Sequence, residues 1–129
     1  MKAVVMMSLL AVGPVLAPMS APLVPAQATV GTTEAPGALL RGLDKAAGVS
    51  SDIRLGVGES VIYGRLTITL SDCRQPADNP AADAFAHLVI RDERLEEPVF
   101  RGWMVASSPA LNAMDHPRYD VWVIRCTSS

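Results

Sequence analysis

The sequence lacks any cluster of basic residues. Its 129 residues include 11 Lys and Arg against 13 Asp and Glu, which gives a formal net charge of −2, and the basic residues stand singly. Proteins that bind nucleic acid through its phosphates need clustered positive charge. We therefore do not expect a nucleic-acid partner.

Metal ligands and nucleophile motifs are also scarce. The two cysteines and the two histidines, His87 and His116, show none of the close ligand spacing that is typical of zinc sites. No Gly-x-Ser-x-Gly motif occurs, so the nucleophile turn of α/β-hydrolases is missing. The residues predict neither a metal nor a cofactor, and they indicate no small-molecule substrate.

What the sequence does contain begins with a hydrophobic leader. An apolar run over 3–12 is followed by Pro- and Ala-rich sequence that leads to the triplet Ala26-Gln27-Ala28. This order is typical of a secretory signal peptide, so we expect residues 1–28 to be cleaved and the protein to be periplasmic. The alternative is a retained membrane anchor, but Gly13-Pro14 interrupts the apolar run, and a spanning helix needs roughly 20 apolar residues.

The rest of the chain is rich in short alternating segments. Residues 29–37 are small and polar and predict a flexible lead-in, whereas 38–129 predict a single β domain. Because no amphipathic run is long enough for a βαβ crossover, we predict an all-β fold. It would be a small antiparallel β-sandwich or open barrel of about six or seven strands with one short helix. The predicted strands are 38–45, 51–57, 60–63, 65–71, 85–91, 99–106 and 119–126.

Cys73 and Cys126 are predicted to form a disulfide, because two cysteines in an exported protein pair most simply with each other. The bond would close a loop of about 54 residues and stabilise the fold by about 4 kcal/mol. Two unpaired, buried cysteines are the alternative. In the strand over 65–71, continued alternation would place Cys73 on the polar face, so a buried disulfide predicts a bulge or a strand end near Asp72.

Ser107, Ser108, His116 and Asp120 are residue types that hydrolases use. A nucleophilic serine needs a base within hydrogen-bond distance and an oxyanion hole, whereas Ser108 before Pro109 is typical of a helix N-terminus. We expect no enzyme activity, and we keep a hydrolase using Ser107 or Ser108 with His116 as a testable hypothesis. His116 itself is predicted to bond a backbone carbonyl in a turn, and the acidic turn that begins at Asp92 is predicted to be solvated.

The 107–117 loop is predicted to lie between two strands that carry large apolar side chains. The chain has six aromatic residues, and both of its tryptophans lie on these two strands. Trp, Tyr and Met are favoured at protein interfaces, so we expect the hairpin of these strands and its loop to bind a partner; the alternative is that the rings fill the core. The predicted binding residues are Trp103, Met104, Ser107, Ser108, Pro109, Asn112, His116, Pro117, Tyr119 and Trp122.

Several stretches together resemble one known family. They are LRGLDK at 40–45, GRLTIT at 64–69, Cys73 before an acidic loop with proline, GWMVASSPALNA at 102–113, HP at 116–117, YDVW at 119–122 and Cys126. This pattern is similar to that of the alphaproteobacterial domain of unknown function 2155 family, over about residues 39 to 126.

The resemblance implies a small exported protein that acts as a periplasmic accessory subunit of the proton-pumping respiratory NADH:quinone oxidoreductase (complex I). We therefore expect a non-catalytic structural subunit that docks on protein subunits of an inner-membrane complex and contacts the membrane only through them. The alternative is a free periplasmic binding module for an envelope ligand such as peptidoglycan or a lipid, which would need a concave apolar pocket with a few converging polar groups.

Overall fold

The alternating segments of the sequence form eight β-strands in the computed structural model, which describes residues 3–4, 10–18 and 31–129. This confirms the all-β fold, with eight strands instead of the predicted six or seven. The strands are β1 (Thr32–Glu34), β2 (Gly37–Asp44), β3 (Val49–Gly56), β4 (Ser60–Tyr63), β5 (Leu66–Pro76), β6 (Phe85–Asp92), β7 (Phe100–Val105) and β8 (Tyr119–Thr127). A 3₁₀ turn over Pro109–Leu111 is the short helical element that was expected after Ser108.

The strands form two antiparallel sheets that pack as a sandwich. One sheet has the order β1-β5-β6-β7, with β4 also paired to β5, and the other has the order β3-β2-β8. β6 therefore lies in the centre of its sheet, as its run of apolar residues indicates, while β7 and β8 are edge strands. The inner faces meet in a core whose largest fully buried side chains are Leu40, Leu66, Ile68, Leu70, Leu88, Ile90, Val121 and Val123.

A β-bulge in β5 turns Cys73 into the core. The pairing of β5 with β6 shifts register between Leu70 and Asp72, so that Cys73, rather than its neighbour, continues the buried row of Leu66, Ile68 and Leu70. The predicted break near Asp72 is thus confirmed, because one extra residue in a strand reverses the alternation of all side chains that follow.

The predicted disulfide is present and joins the two sheets. It links Cys73 of β5 to Cys126 near the end of β8, with their Cα atoms 5.9 Å apart. The bond closes the sandwich at one end, where both β5 and β8 finish.

Order begins earlier than the sequence indicates. Within the predicted flexible lead-in, Thr32–Glu34 forms β1, which pairs with the last residues of β5 at Arg74–Pro76, and Ala35 is buried in the core. The three strand residues are all exposed, and they pair through their backbone, so their side chains give no hydrophobic alternation that could have predicted a strand.

The described residues of the leader, 3–4 and 10–18, have no regular secondary structure. The predicted cleavage site after Ala28 lies outside the described residues. Among the residues that are described, no helix is long and apolar enough to cross a membrane.

Candidate functional site

The 107–117 loop connects an edge strand of one sheet to an edge strand of the other. It leaves β7, the last strand of the larger sheet, and enters β8, the last strand of the smaller one. The predicted helix is limited to a single 3₁₀ turn that starts at Pro109. Ser108 stands at its N-terminal boundary as expected, but its side chain makes no capping hydrogen bond with any described residue.

Asp83 holds the start of the loop. Its carboxylate accepts hydrogen bonds from the hydroxyl of Ser107 (2.7 Å) and from the backbone N–H groups of Ser107 (3.0 Å) and Ala84 (2.8 Å). Burial raises the pKa of Asp83, but these hydrogen bonds to the charged form outweigh it and hold the pKa below its ordinary value of 3.8. The start of the loop is therefore bound to the segment that leads into β6.

Asn112 holds the middle of the loop against β7. Its side-chain amide donates a hydrogen bond of 2.9 Å to the backbone carbonyl of Trp103. A Cβ atom at Gly102 would lie 3.0 Å from the Asn112 amide nitrogen, and β7 pairs with β6 in continuous register through this position. Of the two reasons expected for a glycine here, a bulge or a close neighbour, the close neighbour is the one that applies.

His116 holds the end of the loop through a buried pair with Asp92. The Nε2 atom of His116 lies 2.8 Å from Oδ2 of Asp92, and both side chains are about 5% exposed or less. Nδ1 accepts hydrogen bonds from the backbone N–H groups of Arg118 (3.0 Å) and Tyr119 (3.1 Å). Because a backbone N–H can only donate, Nδ1 carries no proton and Nε2 donates to the carboxylate.

The same pair changes the acidity of Asp92. The hydrogen bond from His116, followed by one from the backbone N–H of Arg94, holds the pKa of Asp92 below its ordinary value of 3.8 despite burial. The interpretation of His116 is wrong, because it bonds a carboxylate and two backbone N–H groups instead of a carbonyl. The predicted solvated turn is correct for its three exposed glutamates but wrong for Asp92, which is buried.

Held at its start, middle and end, the loop exposes an apolar surface. Leu111 at its tip is 76% exposed, whereas Met114 further along is buried in the core. Between the 3₁₀ turn and β8 lies an open groove of about 380 Å³, which we call the loop groove. It is lined by Pro109, Ala110, Ala113, Asp120, Val121 and Trp122.

The structure separates the ten predicted binding residues into two groups. Met104, His116 and Tyr119 are buried. They therefore pack beneath the surface and do not belong to the area that a partner would contact. Seven stay accessible, namely Trp103, Ser107, Ser108, Pro109, Asn112, Pro117 and Trp122. The binding role of the residues remains a prediction.

The two tryptophans do not share a hairpin, which corrects the sequence interpretation. Trp103 is on β7 of the larger sheet, where it is 41% exposed and packs edge-on against His87, with ring centroids 5.2 Å apart. Trp122 is on β8 of the smaller sheet, directly across from Arg41 of β2. Strand alternation puts Trp122 on the face opposite the buried side chains of Tyr119, Val121 and Val123, but which strands pair could not be obtained from alternation.

The serine–histidine arrangement of the hydrolase hypothesis is not formed. Both ring nitrogens of His116 are engaged, one by Asp92 and the other by backbone N–H groups, and the imidazole is buried. The hydroxyl of Ser107 donates to Asp83 instead. His116 is therefore not available as the base for a serine of this loop.

Leu111 and the two alanines of the loop groove were not singled out from the sequence. Leu111 is the one large aliphatic residue among the small and polar residues of 106–113. A segment of that composition has few apolar side chains with which to bury a leucine. The exposure of Leu111 could have been predicted from this composition.

A second, larger cleft of about 780 Å³ opens at the disulfide end. Its lining is mixed in character and includes Arg54, Gln75, Asp83, Ser107 and Arg125. It is a broad, open cleft with both polar and apolar walls, and it differs from the enclosed apolar pocket that a small-ligand module would be expected to show.

Comparison with known proteins gives a family but no activity. The sequence profile of a family described as "Uncharacterized protein conserved in bacteria (DUF2155)" matches residues 38–126. An uncharacterized protein of Rickettsia prowazekii (strain Madrid E) is 31% identical over 87 residues, which cover 65% of this chain and 56% of the relative. The chain thus spans little more than half the length of this curated relative. No solved structure matches it.

Proposed function

The chain belongs to the bacterial family DUF2155, and we propose that it is a non-catalytic accessory subunit that docks on the periplasmic face of an inner-membrane complex. The respiratory NADH:quinone oxidoreductase is the candidate complex, on the basis of the family resemblance. The 107–117 loop and the adjacent face of β8 would be the contact surface.

The observation that carries this proposal is an apolar surface on a loop that is already held in place. Leu111 is presented by a loop whose start, middle and end are fixed by Asp83, the carbonyl of Trp103 and Asp92, and half-buried Trp122 lies beside this loop on β8. A partner that binds a pre-ordered loop does not have to offset the entropy of ordering it. An exposed leucine and a partly accessible tryptophan beside small residues are typical of an interface anchor.

Two features support export. The leader has the order of a signal peptide, with small residues before the expected cleavage site after Ala28. The Cys73–Cys126 disulfide joins the sheets, and disulfides persist mainly in oxidising compartments such as the periplasm. In this proposal the disulfide forms after the chain has crossed the inner membrane.

Affinity purification tests the docking. The full-length chain, with a C-terminal tag, would be expressed in its native cell envelope and purified from detergent-solubilised membranes. We expect membrane subunits to be recovered in stoichiometric amounts, and NADH:quinone oxidoreductase activity to co-purify if the candidate complex is correct. Recovery of a lone soluble monomer would contradict docking.

The intact mass of the same preparation tests export. We expect a mass that corresponds to residues 29–129 plus the tag, less two hydrogens for the disulfide. A full-length chain with two free thiols would contradict the proposed compartment.

A free periplasmic binding module is the second candidate, and the cleft at the disulfide end is the observation in its favour. Arg54 and Arg125 both line that cleft and flank the same residue, Leu39, in the pairing of the smaller sheet. This candidate predicts a monomer that retains a small envelope-derived ligand on gentle purification, which native mass spectrometry would detect.

A further inference from the structure

One partly buried carboxylate has no partner among the residues that the structure describes. Five aspartates are buried or half-buried. Four of them are bound: Asp44 by Arg118, Asp72 by Arg74, Asp83 by Ser107 and Asp92 by His116. Asp120 is the exception, since its carboxylate forms no ion pair or side-chain hydrogen bond with any residue in the described part of the chain.

Three cations lie near Asp120 in the smaller sheet, and each binds another group. Lys45, two residues from Leu43, which is paired with Asp120, donates to the backbone carbonyl of His116 at 2.7 Å. Arg118, two residues earlier in the chain, binds Asp44 at 3.2 Å, and Arg41, which lies across from Trp122, binds Asp52 at 3.0 Å. Between Gly102 and Pro117 the sequence contains no Lys or Arg, and the loop adds a further exposed carboxylate, Asp115. The loop surface therefore combines apolar side chains with two carboxylates that form no ion pair with any residue in the described part of the chain.

Asp120 lines the loop groove next to Trp122. The groove thus offers an aromatic ring, the small apolar walls of Pro109, Ala110 and Ala113, and one half-buried carboxylate. A side chain that matches all three has a long aliphatic stem and a cationic end. Arginine fits best because its planar guanidinium stacks on an indole ring and binds a carboxylate through paired N–H groups.

We propose that the loop groove binds an arginine side chain of the partner protein, with the guanidinium stacked on Trp122 and paired with Asp120, and with its stem along Pro109, Ala110 and Ala113. This inference rests on the proposed docking function and names what the partner presents there. Leu111, at the tip of the loop, would contact an aliphatic residue next to that arginine. The partner segment is therefore basic and apolar.

A pair of matched peptides tests the proposal directly. The probe is acetyl-Leu-Arg-Leu-amide, and its control replaces arginine with citrulline, which keeps the shape and removes the charge. Because the chain has two tryptophans, the exported, disulfide-bonded protein labelled with nitrogen-15 gives two indole N–H signals. Trp122 reports on the groove. Trp103 lies on the other sheet and does not line the loop groove, so it is the internal reference for a peptide that binds there.

We expect the arginine peptide to shift the Trp122 indole signal saturably and to bind about 3- to 10-fold more tightly than the citrulline peptide, as a cation on an indole and a surface ion pair together would give. The Trp103 signal should stay in place. Asp120→Asn should abolish the preference for arginine, whereas Asp78→Asn, at an exposed position in another loop, should preserve it.

Four results would overturn the assignment: equal affinity of both peptides, tighter binding of acetyl-Leu-Glu-Leu-amide, shifts confined to Trp103, or a Trp122 shift that depends only on protein concentration. The last result would mean that a second copy of this chain occupies the groove. If membrane subunits still co-purify while the arginine peptide leaves Trp122 unmoved, the ligand assignment fails and the docking function stands. If the arginine peptide binds but no membrane subunit is captured, the ligand assignment stands and the docking function fails.

Discussion

The two ends of the sandwich are joined by different chemistry. At one end the Cys73–Cys126 disulfide links β5 to β8. At the other end the buried pair of His116 and Asp92 links the end of β6 to the loop that enters β8. A disulfide acts largely by restricting the unfolded chain, whereas the hydrogen-bonded pair fixes one position of a loop in the folded state. The comparison indicates that overall stability and the order of the 107–117 loop are controlled separately.

Removing the disulfide should have the largest effect on stability. The double variant Cys73→Ala, Cys126→Ala loses a link between residues 53 positions apart, and we expect the free energy of unfolding to fall by about 4 kcal/mol. Urea unfolding followed by tryptophan fluorescence measures it. In the molecules that remain folded at low temperature, hydrogen exchange at the His116 end should be unchanged. A disordered 107–117 loop in the folded variant would refute the separation of the two ends.

Changing His116 should disturb the loop while the disulfide stays intact. Asparagine places an acceptor near the position of Nδ1, and glutamine places a donor near that of Nε2. We expect both variants to lower Tm by about 5–15 °C, since each loses part of a buried hydrogen-bond set.

Hydrogen exchange should distinguish the two variants. The amides of Arg118 and Tyr119, which donate to Nδ1, should exchange faster in His116→Gln than in His116→Asn. Equal exchange in both variants would show that Nδ1 does not organise this turn.

Acid should weaken the histidine end through Asp92. The pKa of Asp92 is lower in the folded protein than in the unfolded chain, so its contribution is complete above the unfolded value of about 3.9 and is lost as the pH falls through the lowered folded value. We expect Tm to fall less steeply between about pH 4 and pH 2 in Asp92→Asn than in the wild type. Parallel curves would mean that this carboxylate contributes nothing to acid sensitivity.

The sequence predicted the end of the sandwich that holds the disulfide better than the end that holds the pair of His116 and Asp92. Alternation in Leu66, Ile68 and Leu70 defined the core face of β5, and the position of Cys73 against that alternation was enough to predict the bulge. Both follow from the two-residue period of a strand.

The histidine end could not be predicted in the same way, because its contacts are distant in sequence. Asp92 and His116 are 24 residues apart, and a carboxylate in a charged turn looks solvated until a partner from another element is known. For the same reason Trp103 and Trp122 were expected in one hairpin. Neighbours along the chain could be read from the pattern, but the order of strands in the sheets could not.

Leu111 should matter least for stability. Its side chain is 76% exposed, so Leu111→Ser should change the free energy of unfolding by no more than about 0.5 kcal/mol. Leu95, 57% exposed in the turn between β6 and β7, provides the matched substitution Leu95→Ser. Similar urea midpoints for the two variants and the wild type are expected, and a large loss for Leu111→Ser alone would give the residue a structural role.

Docking through the 107–117 loop is tested most directly by the amount of membrane complex that the Leu111→Ser and Leu95→Ser variants capture. If the 107–117 loop is the docking surface, Leu111→Ser should recover about 10-fold less of the membrane subunits than the wild type, as expected for loss of an interface anchor. Leu95→Ser should recover as much as the wild type. Equal recovery by all three proteins would contradict docking through this loop.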